Sequence, residues 1–337
     1  MHFVGKRLIA VVPSMIGVII VTFLLSRALP GDPAAYFAGP AANADSIAQV
    51  RAKLGLDQSL PVQFLHYLGD LSRGHLGNSL TTGQPVLKDL LERMPASIEL
   101  TLFAMLFAVG VALPLGVWAA TRPDSTVDHL CRGLVSVGAA FPTFFLGLLL
   151  IYIFYFLLGI APQPVGRINE LLYSPPPRIT GAFTVDAILA GDWGAFRASL
   201  AQLVLPAVSL GMFALAPIAR ITRAAMIQAL GSDFIRTARA SGLPARKILI
   251  TYALRNALLP VTNVLGMVFS FLLGGSVLIE QVYGWQGVGA YAVSAVIASD
   301  YAAVQGFVLM MALLYVLLNL VVDLLATAID PRVRFDA

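Results

Sequence analysis

Leu100–Thr121 reads LTLFAMLFAVGVALPLGVWAAT, 22 residues without a charged side chain. As a helix rising about 1.5 Å per residue it is long enough to cross a hydrocarbon core about 30 Å thick. Six further charge-free gaps of comparable length occur, at 8–26, 133–166, 198–219, 256–279, 281–299 and 301–322. Of 337 residues, 58% are hydrophobic and 12% charged, and the mean hydropathy is +0.83. Soluble domains carry about 25% charged residues, so this chain has too little polar surface to cover a soluble core. Disorder is excluded for the opposite reason, because it needs low hydrophobicity and high net charge. The lipid bilayer is the expected solvent.

The gap 281–299, QVYGWQGVGAYAVSAVIAS, mixes three glycines, two glutamines and an aromatic cluster. It suits a short helix or turn at the membrane surface, where Trp and Tyr prefer to sit. The third gap is cut near Gly159 by Pro162 and Pro164. The expectation is an all-α integral membrane protein with six transmembrane helices. Lys6 and Arg7 precede the first run as in a signal peptide, but Ser26-Arg27-Ala28-Leu29-Pro30 offers no small-x-small cleavage site.

Six spans with a cytoplasmic N-terminus leave segments 1–7, 122–132, 220–255 and 329–337 inside. These hold 13 Lys+Arg against five acids, whereas the outer segments hold nine basic and 12 acidic residues. That asymmetry is the positive-inside bias, and it places both termini in the cytoplasm. Seven spans would carry Arg332 and Arg334 to the outside. A net charge of +4, spread this way, does not suggest nucleic-acid binding.

Between the first two spans, residues 29–97 form a polar outer segment too long for a simple connection. The second outer loop, 160–197, contains three consecutive prolines and Arg167, Glu170, Asp186 and Asp192. For both segments two readings stand: a surface for an extracytoplasmic partner, or a solvated cap over the helix ends.

The inner loop 220–255 has seven basic residues and one acid, Asp233. Within it, GSDFIRTARASG (231–242) reads as a short helix, capped by Ser232 or Asp233 and released at Gly242. Phe234, Ala238 and Gly242 recur every four residues, giving a small apolar face. That face fits close approach by another protein; an interfacial helix held to anionic lipid through its arginines is the alternative.

The four histidines are scattered, and no G-x-x-x-x-G-K-[ST] motif occurs, so the chain has no P-loop of its own. The single cysteine, Cys131, excludes an internal disulfide framework and a Cys-based zinc site. Asp323 is the one ionisable residue inside the expected spans, which counts against an ion-coupled secondary transporter. Thr262, Asn263, Ser270 and Ser209 are polar residues within spans, equally suited to interhelical bonding. The substrate pathway stays unassigned.

The inner-loop stretch IRTARASGL (235–243), followed by YALRNALLP (252–260), resembles the cytoplasmic coupling signature of binding-protein-dependent ABC importer permeases. It is most similar to B-type subunits of the dipeptide/oligopeptide/nickel branch. Matching stretches run through the chain: PGDP (30–33), GHLGNS (74–79), FPTFF (141–145), VGRI (165–168), DYAAVQG (300–306), NLVVDLL (319–325) and DPR (330–332). Where the general signature begins Glu-Ala-Ala, this chain has Arg236-Thr237-Ala238.

The resemblance implies a type I ABC importer permease fold with a periplasmic segment between helices 1 and 2. The first transmembrane helix would occupy 1–28, the periplasmic segment 29–97, the permease core with five helices 98–329, and a cytoplasmic tail 330–337. A coupling helix at 233–243 would contact an ATPase through Asp233, Phe234, Ile235, Arg236, Thr237, Ala238, Arg239, Gly242 and Leu243, with the Ala238/Gly242 face as the contact. Implied partners are a second homologous, C-type permease subunit, two cytoplasmic ATPase subunits and a periplasmic or lipid-anchored solute-binding protein. ATP and Mg would sit on the ATPases, with no cofactor or metal on this chain. The implied function is import of dipeptides or short peptides across the bacterial inner membrane. Nickel, glutathione or haem-type solutes are the alternatives within this architecture.

Overall fold

The computed structural model describes residues 2–28, 33–39, 42–53 and 55–329. Residues 30–32 of the PGDP stretch, the DPR stretch, the tail 330–337 and the Asp323 side chain lie outside the described residues. Among the described residues the chain is helical, with one isolated bridge between Asn78 and Pro85. The elements in order are α1 (His2–Ala28), α2 (Pro33–Ala38), α3 (Ala44–Lys53), α4 (Leu60–Ser72), α5 (Val86–Thr121), α6 (Thr126–Ala140) and α7 (Thr143–Leu150). There follow α8 (Phe183–Leu189), α9 (Trp193–Leu230), α10 (Asp233–Ala240), α11 (Ala245–Lys247), α12 (Arg255–Tyr283), α13 (Val288–Ile297) and α14 (Tyr301–Ile329). Wide π-helical turns, Ile151–Leu157 and Ile248–Leu254, extend α7 and lead into α12.

Four stretches are individually long and apolar enough to cross a membrane: α5, α9, Ala245–Tyr283 and Tyr301–Val321. The pair α6–α7 makes a fifth if it counts as one span. The 27-residue α1 contains the expected first span, so these elements are consistent with six. The gap 281–299 holds only the ten-residue α13, too short to cross. The expected third span is not one straight helix. It bends by 94° between α6 and α7, where Phe141 is extended before Pro142, the conformation that a following proline favours. Its far end stops at Gly159, whose φ is +63°.

Two compact units arise, one from residues up to Pro95 with Gly287–Val316, the other from Ala96–Gln286 with the chain from Leu317. In the first, Phe23 of α1 meets Phe64 edge-on at 5.1 Å and Tyr67 at 5.7 Å on α4. The Asp300 carboxylate caps α14 at the Ala303 amide (3.1 Å) and accepts hydrogen bonds from the Ser79 hydroxyl and the Leu80 amide, both 2.6 Å. Gly306 has no room for a side chain, since a Cβ would lie 2.4 Å from Val86 Cγ1. The GHLGNS and DYAAVQG stretches are thus two halves of one packing unit.

In the second unit, α9 is the central element, with α6, α7, α8 and α12 packed against it. Its partner α5 presents Ala96, Leu100, Ala104, Ala108 and Ala112, fully buried at four-residue spacing. This stripe lets the two backbones approach closely, as small residues do in membrane bundles. At the crossing, a Cβ on Gly211 would stand 2.6 Å from the Ala104 carbonyl oxygen. A Gly211→Val variant therefore loses stability by about 1–3 kcal/mol through overpacking, read as a lower melting midpoint of the purified protein. An unchanged midpoint would show that the crossing is looser than this.

Candidate functional site

The segment joining α9 to α12 is built from both sides of its sequence pattern. Gly231 and Ser232 end α9, and α10 follows immediately. The Ser232 hydroxyl donates back to the Ala229 carbonyl rather than capping α10. The helix closes in a Schellman motif: the Leu243 amide donates to Ala238 O at 3.2 Å and the Gly242 amide to Arg239 O at 3.0 Å. Gly242 takes φ +72°, a conformation open to glycine at little cost.

The face of this helix differs from the sequence expectation. Ile235 and Ala238 turn inward and are buried against Met226 and Ala229 of α9 and against Ile248, Ala253 and Ala257. Leu243 packs on the same cluster. Ala238 therefore belongs to the seat of the helix within its own chain, and Gly242 lies beyond the helix in the turn. They do not form one outward face. The apolar residue Ile235 outcompetes the small-residue pattern because its burial removes more surface from water. The outward set is Asp233, Phe234, Arg236, Thr237 and Arg239, all exposed, with Asp233 and Arg236 paired at 3.1 Å. Phe234, 43% exposed, is its one large apolar side chain.

A second anchor ties α6 to the same end of α9. Arg223 grips Asp128 through two nitrogens, its Nε at 2.7 Å from Oδ1. The Asp124 amide donates to the same carboxylate at 2.9 Å, and Arg132 Nε lies 3.3 Å away. Asp128 is wholly buried, so its charge is compensated by several donors at once.

At the other end of the spans lie three buried carboxylates: Asp186, named above in the loop 160–197, and Glu99 and Glu280, which border the charge-free runs. Glu99 accepts hydrogen bonds from Arg167 (2.8 Å), the Thr184 hydroxyl (2.6 Å) and the amides of Thr184 (2.8 Å) and Phe183 (3.3 Å). Arg167 also donates to Gly181 O at 2.7 Å and lies 3.7 Å over the Phe183 ring. Burial lowers the pKa of Arg167, an effect that Glu99 opposes. Asp186 accepts from the Thr180 hydroxyl and amide, both 2.7 Å, and from the Gly181 amide at 2.9 Å. Burial alone would push Asp186 up, but these hydrogen bonds outweigh it and hold the carboxyl below its ordinary range. Glu280, fully buried, accepts from Ser97 and Ser276.

Arg167 and Asp186 are thus buried internal struts of the loop 160–197, and neither side chain is a solvated cap or a free contact surface. The same loop runs against the turn after α12, where the Gly166 amide donates to Tyr283 O at 3.0 Å. Glu99 and Glu280 stand one residue outside the runs 100–121 and 256–279, and that bordering position was the available signal. The polar span residues do not converge. Thr262 and Ser270 bond carbonyls four residues back on α12, Ser209 meets Tyr283 Oη at 2.9 Å, and Asn263 is exposed. Cys131 is buried.

Comparison with known proteins agrees with this arrangement. Residues 112–335 match the family described as binding-protein-dependent transport system inner membrane component, and residues 1–101 match its N-terminal component. The probable D,D-dipeptide transport system permease protein DdpB of Escherichia coli K12 is 45% identical over 317 residues, covering 94% of this chain and 93% of the relative. The di/tripeptide transport system permease protein DppB of Pseudomonas aeruginosa UCBPP-PA14 is 41% identical over 335 residues, 99% of each chain. Among solved structures, an inward-facing MetNI methionine ABC transporter shares the fold, with a TM-score of 0.52 at 20% identity over 72% of this chain and 97% of that one.

Apolar spanning helices joined by a short, separately seated helix describe a multi-pass permease. The chain belongs to the binding-protein-dependent transport system inner membrane components. It is accordingly an inner-membrane transport component that works with other parts of an ABC transporter.

Proposed function

We propose that this chain is a permease subunit of an ATP-driven importer that carries dipeptides and short peptides from periplasm to cytoplasm by alternating access. The observation that carries the substrate class is identity of 38–45%, over nearly the full length, to relatives named as dipeptide or di/tripeptide permeases. Its partners are a C-type permease subunit, two cytoplasmic ATPases and a periplasmic or lipid-anchored binding protein. Both termini and α10 face the cytoplasm, in keeping with the basic inner loop. ATP and Mg belong to the ATPases, in keeping with the absence of a P-loop motif from this sequence.

In this reading α10 is the mechanical input. Closure of the ATPase pair displaces the outward residues Asp233, Phe234, Arg236, Thr237 and Arg239. The buried seat of Ile235, Ala238 and Leu243 passes that displacement to the ends of α9 and α12, because a close-packed apolar contact transmits strain.

Uptake of a labelled dipeptide by cells lacking this chain, with nickel as the control solute, tests the reading. Loss of dipeptide uptake, restored by the intact gene and blocked by vanadate but not by a protonophore, is the expected result. Impaired uptake of nickel with unchanged dipeptide uptake would move the substrate. Sensitivity to the protonophore alone would overturn the ATP-driven mechanism.

A further inference from the structure

Between α5, α6 and α9, at the end of the spans that bears the Arg223–Asp128 anchor, lies a cavity of about 90 Å³. Leu115 and Ala119 of α5, Val135 of α6 and Ala219 of α9 give it apolar walls, while Arg132, Arg220 and Arg223 border it. One buried carboxylate, Asp128, answers two of these cations, Arg223 and Arg132. It is already engaged by two nitrogens of Arg223, by the Asp124 amide and by Arg132. Asp124 adds only a 3.9 Å contact to Arg223 from an exposed position. Arg220 spends its Nε on the Ala216 carbonyl at 3.2 Å. Among the described residues its two Nη groups meet no acceptor. Arg220 and Arg132 are both exposed, so the cavity combines apolar walls with positive charge open to an incoming anion.

We propose that this cavity binds an anionic phospholipid, its phosphate held by Arg220 and Arg132 and a chain methylene segment seated on the apolar walls. The inference rests on the orientation given above, which puts these residues at the cytoplasmic leaflet. Basic pockets between transmembrane helices on that side suit lipid headgroups. Arg220, with its free Nη pair, presents two parallel donors to one phosphate, a geometry specific to guanidinium. The apolar walls decide for a lipid over a free inorganic anion, which would gain nothing from Leu115 or Val135. The exposed side of α6 continues the apolar track with Leu130, Leu134 and Val137. The occupant then wedges the three helices near the Asp128 anchor, making that joint sensitive to membrane composition.

Cys131 lines the cavity and is the chain's only cysteine, so its alkylation reports occupancy. The full-length chain, purified with the subunits it carries, is delipidated and titrated with phosphatidylglycerol or phosphatidylcholine while a thiol-specific maleimide reacts with Cys131. Phosphatidylglycerol slows the reaction and phosphatidylcholine does not. Arg132→Gln and Arg220→Gln each weaken that protection about fivefold, the usual worth of one basic residue near an anionic surface. Lys247→Gln, a cation on the same inner loop but away from the cavity, leaves it unchanged. Equal protection by phosphatidylcholine, or by inorganic phosphate alone, overturns the proposal. So does a Cys131 that stays unreactive without lipid, because the cavity would then be closed to solutes.

Discussion

An Arg167→Met variant unfolds with about 3–5 kcal/mol less free energy than the parent chain, the usual cost of removing one partner from a buried ion pair. Arg167 and Glu99 are both buried and 2.8 Å apart, so the substitution leaves a carboxylate with three neutral donors and no cation. The effect is local first. Residues 160–192 lose the strut that joins Glu99 to Gly181, and this loop becomes the preferred site of limited proteolysis. Adding Glu99→Gln removes the orphaned charge and recovers part of the loss. A thermal midpoint unchanged by Arg167→Met, in detergent or nanodiscs, would mean that the pair is solvated in the working protein.

Phe234→Asp reduces uptake at least about tenfold, which corresponds to about 1.4 kcal/mol of lost coupling, while the protein inserts and melts as before. The reason is the exposed position of Phe234 on α10, where a charge disturbs nothing inside this chain. Ala238→Asp behaves in the opposite way. It buries an unpaired carboxylate among Ile235, Met226 and Ile248, at a cost of several kcal/mol, and the yield of folded protein falls. The contrast separates the outward face of α10 from its seat. Binding-protein-stimulated ATPase activity, measured beside thermal stability, reads both. Should Phe234→Asp transport normally, the ATPase contact lies elsewhere.

The spans were legible because exclusion of charge from hydrocarbon leaves a mark on any sequence, however the helices pack. The ends of α10 were legible too, Gly242 above all, since a positive φ restricts residue choice. Which side of α10 faces inward was not. Spacing placed Ala238 beside both Phe234 and Ile235, and only the partner surface formed by Met226, Ile248 and Ala253 chooses Ile235. Glu99 and Glu280 were hidden for another reason. A carboxylate at the border of an apolar run looks like its solvated flank until its donors are known, and those donors lie as far away as Arg167 and Ser97. The bend at Phe141–Pro142 shows the same limit, because an apolar stretch records its solvent more faithfully than its direction.

The close crossings of α9 with α5 and with α6 also constrain how this lineage can diverge. At Gly138 a new methyl group would meet the flexible end of Met212, 2.7 Å away, so a smaller residue at 212 can make room and the two positions can drift together. At Gly211 the obstacle is a main-chain oxygen, which every residue at position 104 carries. No substitution there creates space, and the glycine is fixed one position at a time. Two glycines that look alike in the sequence therefore have unequal histories open to them.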